Sequence, residues 1–457
     1  MMARLARMFE RSARWGKVVL AGLLLGAATA PVEAAPAYGV AARVATQPYL
    51  RMPRTVDGPM PALLSETGAF KDIRRLVPAD ELLPYELVVP FWSDHALKTR
   101  WIAVPTGQTV QFSPHGEWVF PAGTVLVKHF DLTLDETQPG SARRLETRLI
   151  VRDENGGIYG VTYKWRPDNS DADLVQAGLT EEITIKTATG SRVQPWYYPN
   201  QEDCRKCHTA NAGFVLGLKT RQLNREVAYP SGVTENQLRT WNHLGLFDQK
   251  LDESDIPKLP KLARLDDPAH SLEERARSYL DANCAHCHRP GGTVAEFDAR
   301  FDTPLARQNL VGGPVLINQG IDRARIIAPN DIWRSILFMR ANTLEAYKMP
   351  PLARNTVDEP GMALLRAWIE SMPGQPVQPP PIISPRGGNF ERSVTVTLQG
   401  QPGATLHYTV DGSVPSTSDP VYEKPLVLTE ATILRVRAFK PGHTNSIPTQ
   451  EVFIVSE

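Results

Sequence analysis

Hydrophobic and polar residues alternate in short runs between Leu63 and Thr187, the pattern of half-buried strands, and predict strands over 109–112, 117–120, 124–132, 146–152 and 158–165. The last two flank Asn155-Gly156-Gly157, residues that tolerate the positive φ of a tight turn, so this pair predicts a hairpin. Trp92, Trp101, Trp118, Trp165 and Trp196 fall in the same segment and read as core aromatics. The period then lengthens. Thr234 and Gln237 form a capping box that predicts a helix through Leu238, Trp241 and Leu244. Ser271-Leu272-Glu273-Glu274 is another, opening a helix with Leu272, Ala276, Tyr279 and Leu280 on one face. Asp358 caps a further helix with the apolar stripe Met362, Leu365, Ile369 and Met372, stopped by Pro373-Gly374. Five prolines between Pro376 and Pro385 predict a stiff extended spacer. Alternation returns over 393–398, 405–410 and 433–439, consistent with a small immunoglobulin-like sandwich.

The chemistry sits in two short motifs. Cys204-Arg205-Lys206-Cys207-His208 and Cys284-Ala285-His286-Cys287-His288 both read CxxCH, and together they use all 4 cysteines of the chain, leaving none for a disulfide. Thiols at i and i+3 share a helical face, so each pair can reach the two vinyl groups of one haem while the adjacent histidine meets the iron. A thioredoxin-like redox pair does not need that histidine, and the two knuckles of a zinc ribbon usually lie much closer than the 76 residues between Cys207 and Cys284. The expected cofactors are therefore two covalently attached haem c groups, with His208 and His288 as iron ligands.

The N-terminus has the grammar of a secretory signal peptide, with Arg4, Arg7, Arg11, Arg14 and Lys17 before an apolar run over 18–30 and a small residue at Ala34. Cleavage there is favoured over an uncleaved anchor, because the run is short for a bilayer span. It takes five bases and two acids from 50 of each, leaving 45 against 48, a net of −3 that argues against nucleic acid as a partner. The domain reading is a signal peptide at 1–34, a flexible tether at 35–59, a β-rich domain with the first motif at 60–250, a connector at 251–269, a second haem domain at 270–374, a proline-rich linker at 375–386 and a sandwich at 387–457.

Three resemblances add to this. The stretch 271–372 resembles a class I cytochrome c, with a helix entering the second motif, Lys348-Met349-Pro350-Pro351-Leu352 and a closing helix. That resemblance implies an all-α domain with Met349 as the sixth iron ligand, a thioether scheme known for haem. From about Leu64 to Met372 the chain also resembles a family of exported di-haem c-type cytochromes, mostly uncharacterised. The matching residues include Leu64-Ser65-Glu66-Thr67-Gly68, Phe91-Trp92-Ser93-Asp94, Phe120-Pro121-Ala122-Gly123-Thr124-Val125, Leu145-Glu146-Thr147-Arg148-Leu149 and Leu223-Asn224-Arg225. Finally, Gly388 to Val455 resembles the small C-terminal domain of chitobiase and β-hexosaminidase, through Leu406-His407-Tyr408-Thr409-Val410-Asp411-Gly412-Ser413, 420–426 and 433–439. That module is accessory and offers no glycosidase carboxylate pair.

The expected architecture is α+β and multidomain: a β-rich domain, an all-α class I cytochrome c domain and a β-sandwich. The expected function is electron transfer in the periplasm or otherwise outside the cytoplasm. Redox proteins, namely small cytochromes or a dehydrogenase or reductase, are the expected partners, with carbohydrate or surface contact as the role open to the C-terminal domain. The alternative is a peroxidase-like di-haem oxidoreductase with an open coordination site at the first haem. For that haem the candidate sixth ligands are His243, ranked first, then His129, His95 and Met60; His286 reads as a packing or solvent residue.

Overall fold

The computed structural model describes residues 37–41, 49–138, 140–292, 296–352 and 354–456; the signal peptide expected at 1–34 lies outside them. Among the described residues no helix is long and apolar enough to cross a membrane.

A short ribbon of β1 (Phe70–Asp72) and β2 (Val77–Pro78) precedes the main sheet. That sheet is an antiparallel meander of six strands in chain order, β3 (Leu83–Pro84), β4 (Leu97–Ala103), β5 (Val125–Thr133), β6 (Ala142–Arg152), β7 (Ile158–Trp165) and β8 (Ala172–Leu174). The hairpin expected at Asn155-Gly156-Gly157 joins β6 to β7, with Gly156 at φ 80°. The segment 117–120 makes only a bridge, Gln111 to Val119.

Alternation gives this sheet two buried faces. Trp101, Val127, Leu149, Val161 and Tyr163 point to one core, while Ile102, Leu126 and Ile150 point to the other, which also holds Cys204, Trp118 and Trp241. A ribbon of β9 (Leu179–Thr187) and β10 (Gly190–Tyr198) leads into α1 (Gln201–Cys207), which carries the first motif. There follow α2 (Thr220–Leu223), the ribbon β11 (Glu226–Ala228) with β12 (Thr234–Asn236), and α3 (Gln237–His243). The cap of α3 is Asn236, which accepts from Leu238 N, so Thr234 ends up in a strand rather than in the capping box the sequence suggests.

The all-α class I cytochrome c domain expected over 270–374 is not what the chain forms. The described residues are β-rich, with 30% strand and 15% helix in six short helices. Among the described residues of this segment, α-helix is confined to α4 (Leu272–Asn283), α5 (Ile336–Ala341) and α6 (Glu359–Glu370), with one 3-10 turn at Leu305–Arg307. The reason is in the composition of what lies between. Pro290-Gly291-Gly292, Gly312-Gly313-Pro314 and Pro329-Asn330 interrupt any helical run. Its backbone groups find partners in bridges instead, Val311 with Ile327 and Arg325 with Ser335.

The C-terminal β domain agrees with expectation. Two sheets, β13 (Ile382–Ser384), β15 (Val394–Gln399) and β17 (Leu426–Leu428), and β14 (Gly388–Glu391), β19 (Thr449–Ser456), β18 (Thr432–Phe439) and β16 (Thr405–Thr409), enclose Val396, Leu434, Val436 and Phe453. The proline-rich segment before it is not a bare spacer: Gln378 N donates to Thr444 O, Thr444 N donates to Pro376 O, and β13 joins the first sheet.

Candidate functional site

The first motif is held by its own helix cap. Asn200 accepts from Asp203 N, the Asp203 carboxylate accepts from Asn200 N, and Tyr197 OH and Lys206 Nζ also reach that carboxylate, at 2.7 and 2.8 Å. The helix then lies on β7 where Gly160 leaves room; a Cβ there would stand 2.6 Å from Cys204 Sγ. His208 follows, its backbone N–H donating to Cys204 O at 3.0 Å. Its Nδ1 lies 2.7 Å from Phe214 O. A carbonyl only accepts, so Nδ1 carries the proton and Nε2 keeps its lone pair. Burial pushes the imidazole down to about 4, against the Phe214 hydrogen bond, with His286, Lys128 and Arg148 adding to the fall.

The second motif lies just beyond its helix, not within it, and shares with the first the bond from the histidine N–H back to the first cysteine. Ser271 and Glu274 cap α4 reciprocally, and after Asn283 the N–H of His288 donates to Cys284 O at 2.9 Å. The His288 ring stacks on Phe297 at 4.3 Å between centroids, and its buried Nδ1 has no hydrogen-bond partner among the described residues. Burial raises the Cys204 thiol to about 11 and that of Cys284 to about 12. No disulfide joins any of the four cysteines.

The fold brings the two motifs together. Ligand atoms of Cys207, His286 and Cys287 all lie within 4.8 Å of one another. Cys207 donates to Cys287, which raises the first thiol and holds the second low. Around them runs a charge-balanced lattice: Lys219 pairs with Asp281 at 2.7 Å, and Arg289 with Glu117 at 2.7 Å and with Asn211 O at 2.9 Å. Lys219, Asp281 and Arg289 are buried and Glu117 half-buried, and all are paired, as such burial requires.

The segment Phe91-Trp92-Ser93-Asp94 ties the β-sheet region to the second motif. Phe91 meets the His286 ring edge-on at 5.5 Å, and Trp92 N donates to Asn283 Oδ1 at 2.8 Å. Asp94, at φ 47°, accepts from Asn355 N at 2.8 Å and from Thr356 N at 2.8 Å. It thereby orders the chain just beyond Met349, whose own N–H donates to Arg340 O at 2.8 Å; the Arg340 charge in turn acts on the His288 ring.

The candidate sixth ligands for the first haem lie elsewhere. His243 is exposed at the end of α3, its ring stacked on Tyr38 at 3.9 Å. His129 is fully buried, with Nδ1 at 2.8 Å from Thr147 and Nε2 at 3.1 Å from Asp131. Met60 is half-buried against the core on the sheet face opposite Cys204, and His95 is exposed beside Trp92.

Sequence reasoning missed a row of cations. Arg100, Lys128 and Arg148 are register partners on adjacent strands and share the sheet face of Gly160, with Lys98 beside them. Burial lowers the Lys98 ammonium to about 7, and burial with the charges of Arg100, Lys98 and Arg148 also lowers that of Lys128 well below the ordinary lysine value. The signal was a charge at an inward position of an alternating strand, in Leu126-x-Lys128-x-Phe130 and in Arg148-x-Ile150.

Residues 385–451 match the chitobiase/beta-hexosaminidase C-terminal domain family. Neither a curated protein nor a solved structure matches the chain.

Proposed function

We propose that this chain is an exported electron-transfer protein carrying two covalently attached c-type haems. The observation that carries the reading is the convergence of two identical thiol, thiol and imidazole motifs at one place, with donor atoms of Cys207, His286 and Cys287 within 4.8 Å. The residues fit the group. His208 is fixed by Phe214 in the tautomer that offers Nε2, and His288 has a buried Nδ1 still lacking a partner. Cys204, Cys207 and His208 would hold one haem, and Cys284, Cys287, His288 and Met349 the other. A bound haem supplies an iron that changes valence by one electron. The chain's part is to fix the imidazoles, to bury them and to set the surrounding charge. The reading places the protein in the periplasm or at the cell surface, exchanging electrons with a small cytochrome or with a dehydrogenase or reductase; its C-terminal domain is a spacer or a carbohydrate or surface contact.

Intact mass tests it: the mature chain from about residue 35 should carry two haems, and the denatured protein should stay red. A mass showing zinc or a single haem sinks the reading. The engagement of His129 by Thr147 and Asp131, the stacking of the exposed His243 on Tyr38 and the packing of Met60 on the opposite sheet face favour a second reading, an oxidoreductase with an open site at the first haem. Carbon monoxide decides between them. A relay leaves both reduced haems unchanged by the gas and turns over no peroxide; binding at one haem, with peroxide turnover lost in His208→Ala, establishes the enzyme.

A further inference from the structure

The row of cations on the main sheet has too few anions to match it. Lys98, Arg100, Lys128 and Arg148 share one face across β4, β5 and β6. The carboxylate within that row is Glu146, which is fully buried and bound by Arg148 Nη2 at 2.5 Å. Asp94, at the rim, is already taken by the amides of Asn355 and Thr356. Lys98 Nζ donates to Phe91 O at 2.7 Å, and Lys128 Nζ stands 4.7 Å from the Phe130 ring centroid. Arg148 Nε and Arg100 Nη2 are buried with no partner among the described residues. A buried guanidinium donor left unpaired is unfavourable, so such an array is expected where an anion binds. The row also opens on a cavity lined by Phe91, Asp94, Lys128, Arg148, Tyr197 and Asn355.

Its position relative to the first motif says which anion. Cys204 sits over Gly160 on β7, and the cations follow on the next three strands, β6, β5 and β4, of the same face. Strands are about 4.8 Å apart, so the row begins beside the thiols and ends roughly 14 Å from β7. A porphyrin anchored by thioethers at one edge carries its two carboxylates at the other. We propose that Arg148, Lys128 and Arg100 are a carboxylate-binding row for the propionates of the haem attached to Cys204 and Cys207. The proposal rests on the di-haem reading and adds to it the residues that neutralise one haem.

The test uses the full mature chain with both haems, confirmed by mass; if that mass fails, the di-haem reading has failed and the propionate row falls with it. Lys128→Met and Arg148→Met should each lower one of the two midpoint potentials, since a lost cation favours the ferric form, and Arg148→Lys should restore most of the shift. If both potentials stay put in both Met variants, the row holds no propionate. A second measurement needs no variant. With propionates isotopically labelled through carboxyl-labelled aminolevulinate, infrared spectra should show one pair still ionised at about pH 3, below the ordinary carboxyl pKa of about 4, because Lys98, Arg100, Lys128 and Arg148 outweigh Glu146, Asp94, Glu86 and Asp358 around it. Protonation of every labelled carboxyl together in the ordinary range overturns the proposal.

Discussion

Gly160 sets how closely the first motif approaches the sheet. A Cβ at this position would meet Cys204 Sγ at 2.6 Å and Ile150 Cδ1 at 2.7 Å, distances that force either helix α1 or β6 to move. Gly160→Val should therefore cost about 1 to 3 kcal/mol, read as a lower midpoint of thermal unfolding, and should reduce the occupancy of the first haem relative to the second. An unchanged melting point with full loading would show that α1 is free to lift. Met349 is the other single residue with a sharp consequence. Thioether ligation favours ferrous iron, so Met349→His should lower one potential by a sizeable part of the ~0.8 V over which axial ligands tune haem, and should remove the sulfur-to-iron charge-transfer band. A persistent band would mean that Met349 only packs. The two motifs were legible because spacing along the chain is itself the chemistry. Gly160 was not, since nothing in Tyr159-Gly160-Val161 tells that another segment's thiol will press on it.

At the scale of elements, local signals did well and long-range ones did not. The capping box Ser271 to Glu274 starts α4 as its sequence implies, with Glu274 N donating to Ser271 Oγ at 3.2 Å. Ser271→Ala should cost about 1 kcal/mol, measurable by chemical denaturation, and Ser271→Asp should recover most of it. Strand alternation likewise located β5, β6 and β7. It could not distinguish a solvent-facing charge from a buried one, because the meander is covered on both faces, which is why Lys128 and Arg148 were passed over. The helix-poor stretch 284–335 misled for a related reason. Helices on either side suggest a helical domain, whereas the glycines and prolines between them carry the opposing signal. The loop 91–94 crosses to the second motif through hydrogen bonds more than 190 residues apart in sequence, a link that no local pattern announces.

For the whole molecule, the question is how firmly the C-terminal sandwich is joined to the rest. Five prolines suggest an independent module on a stiff arm, yet the structure shows a seated one. Arg437 of β18 reaches Asp322 Oδ2 at 2.8 Å, Arg334 reaches the same carboxylate at 3.2 Å, and Ile447 covers Ile321 and Ile336. The prolines have no N–H to offer, so the backbone pairing falls to Gln378 and Thr444. Burial works against the charge of Asp322, but Arg334 and Arg437 more than offset it and hold the carboxyl below its ordinary value. A depressed folded value means that the contribution is present above the unfolded carboxyl pKa of about 3.9 and is lost as pH falls through the lower folded value. Lowering the pH below about 4 should therefore loosen the sandwich, and Asp322→Ala should loosen it already at neutral pH. Hydrogen exchange at the amides of Thr444 and Ser446 reads this directly: both should exchange faster in the variant, while the amides of His208 and His288 stay protected. Equal exchange at Thr444 and Ser446 in the two proteins would show that the apolar contact of Ile447, not the ion pair, seats the domain.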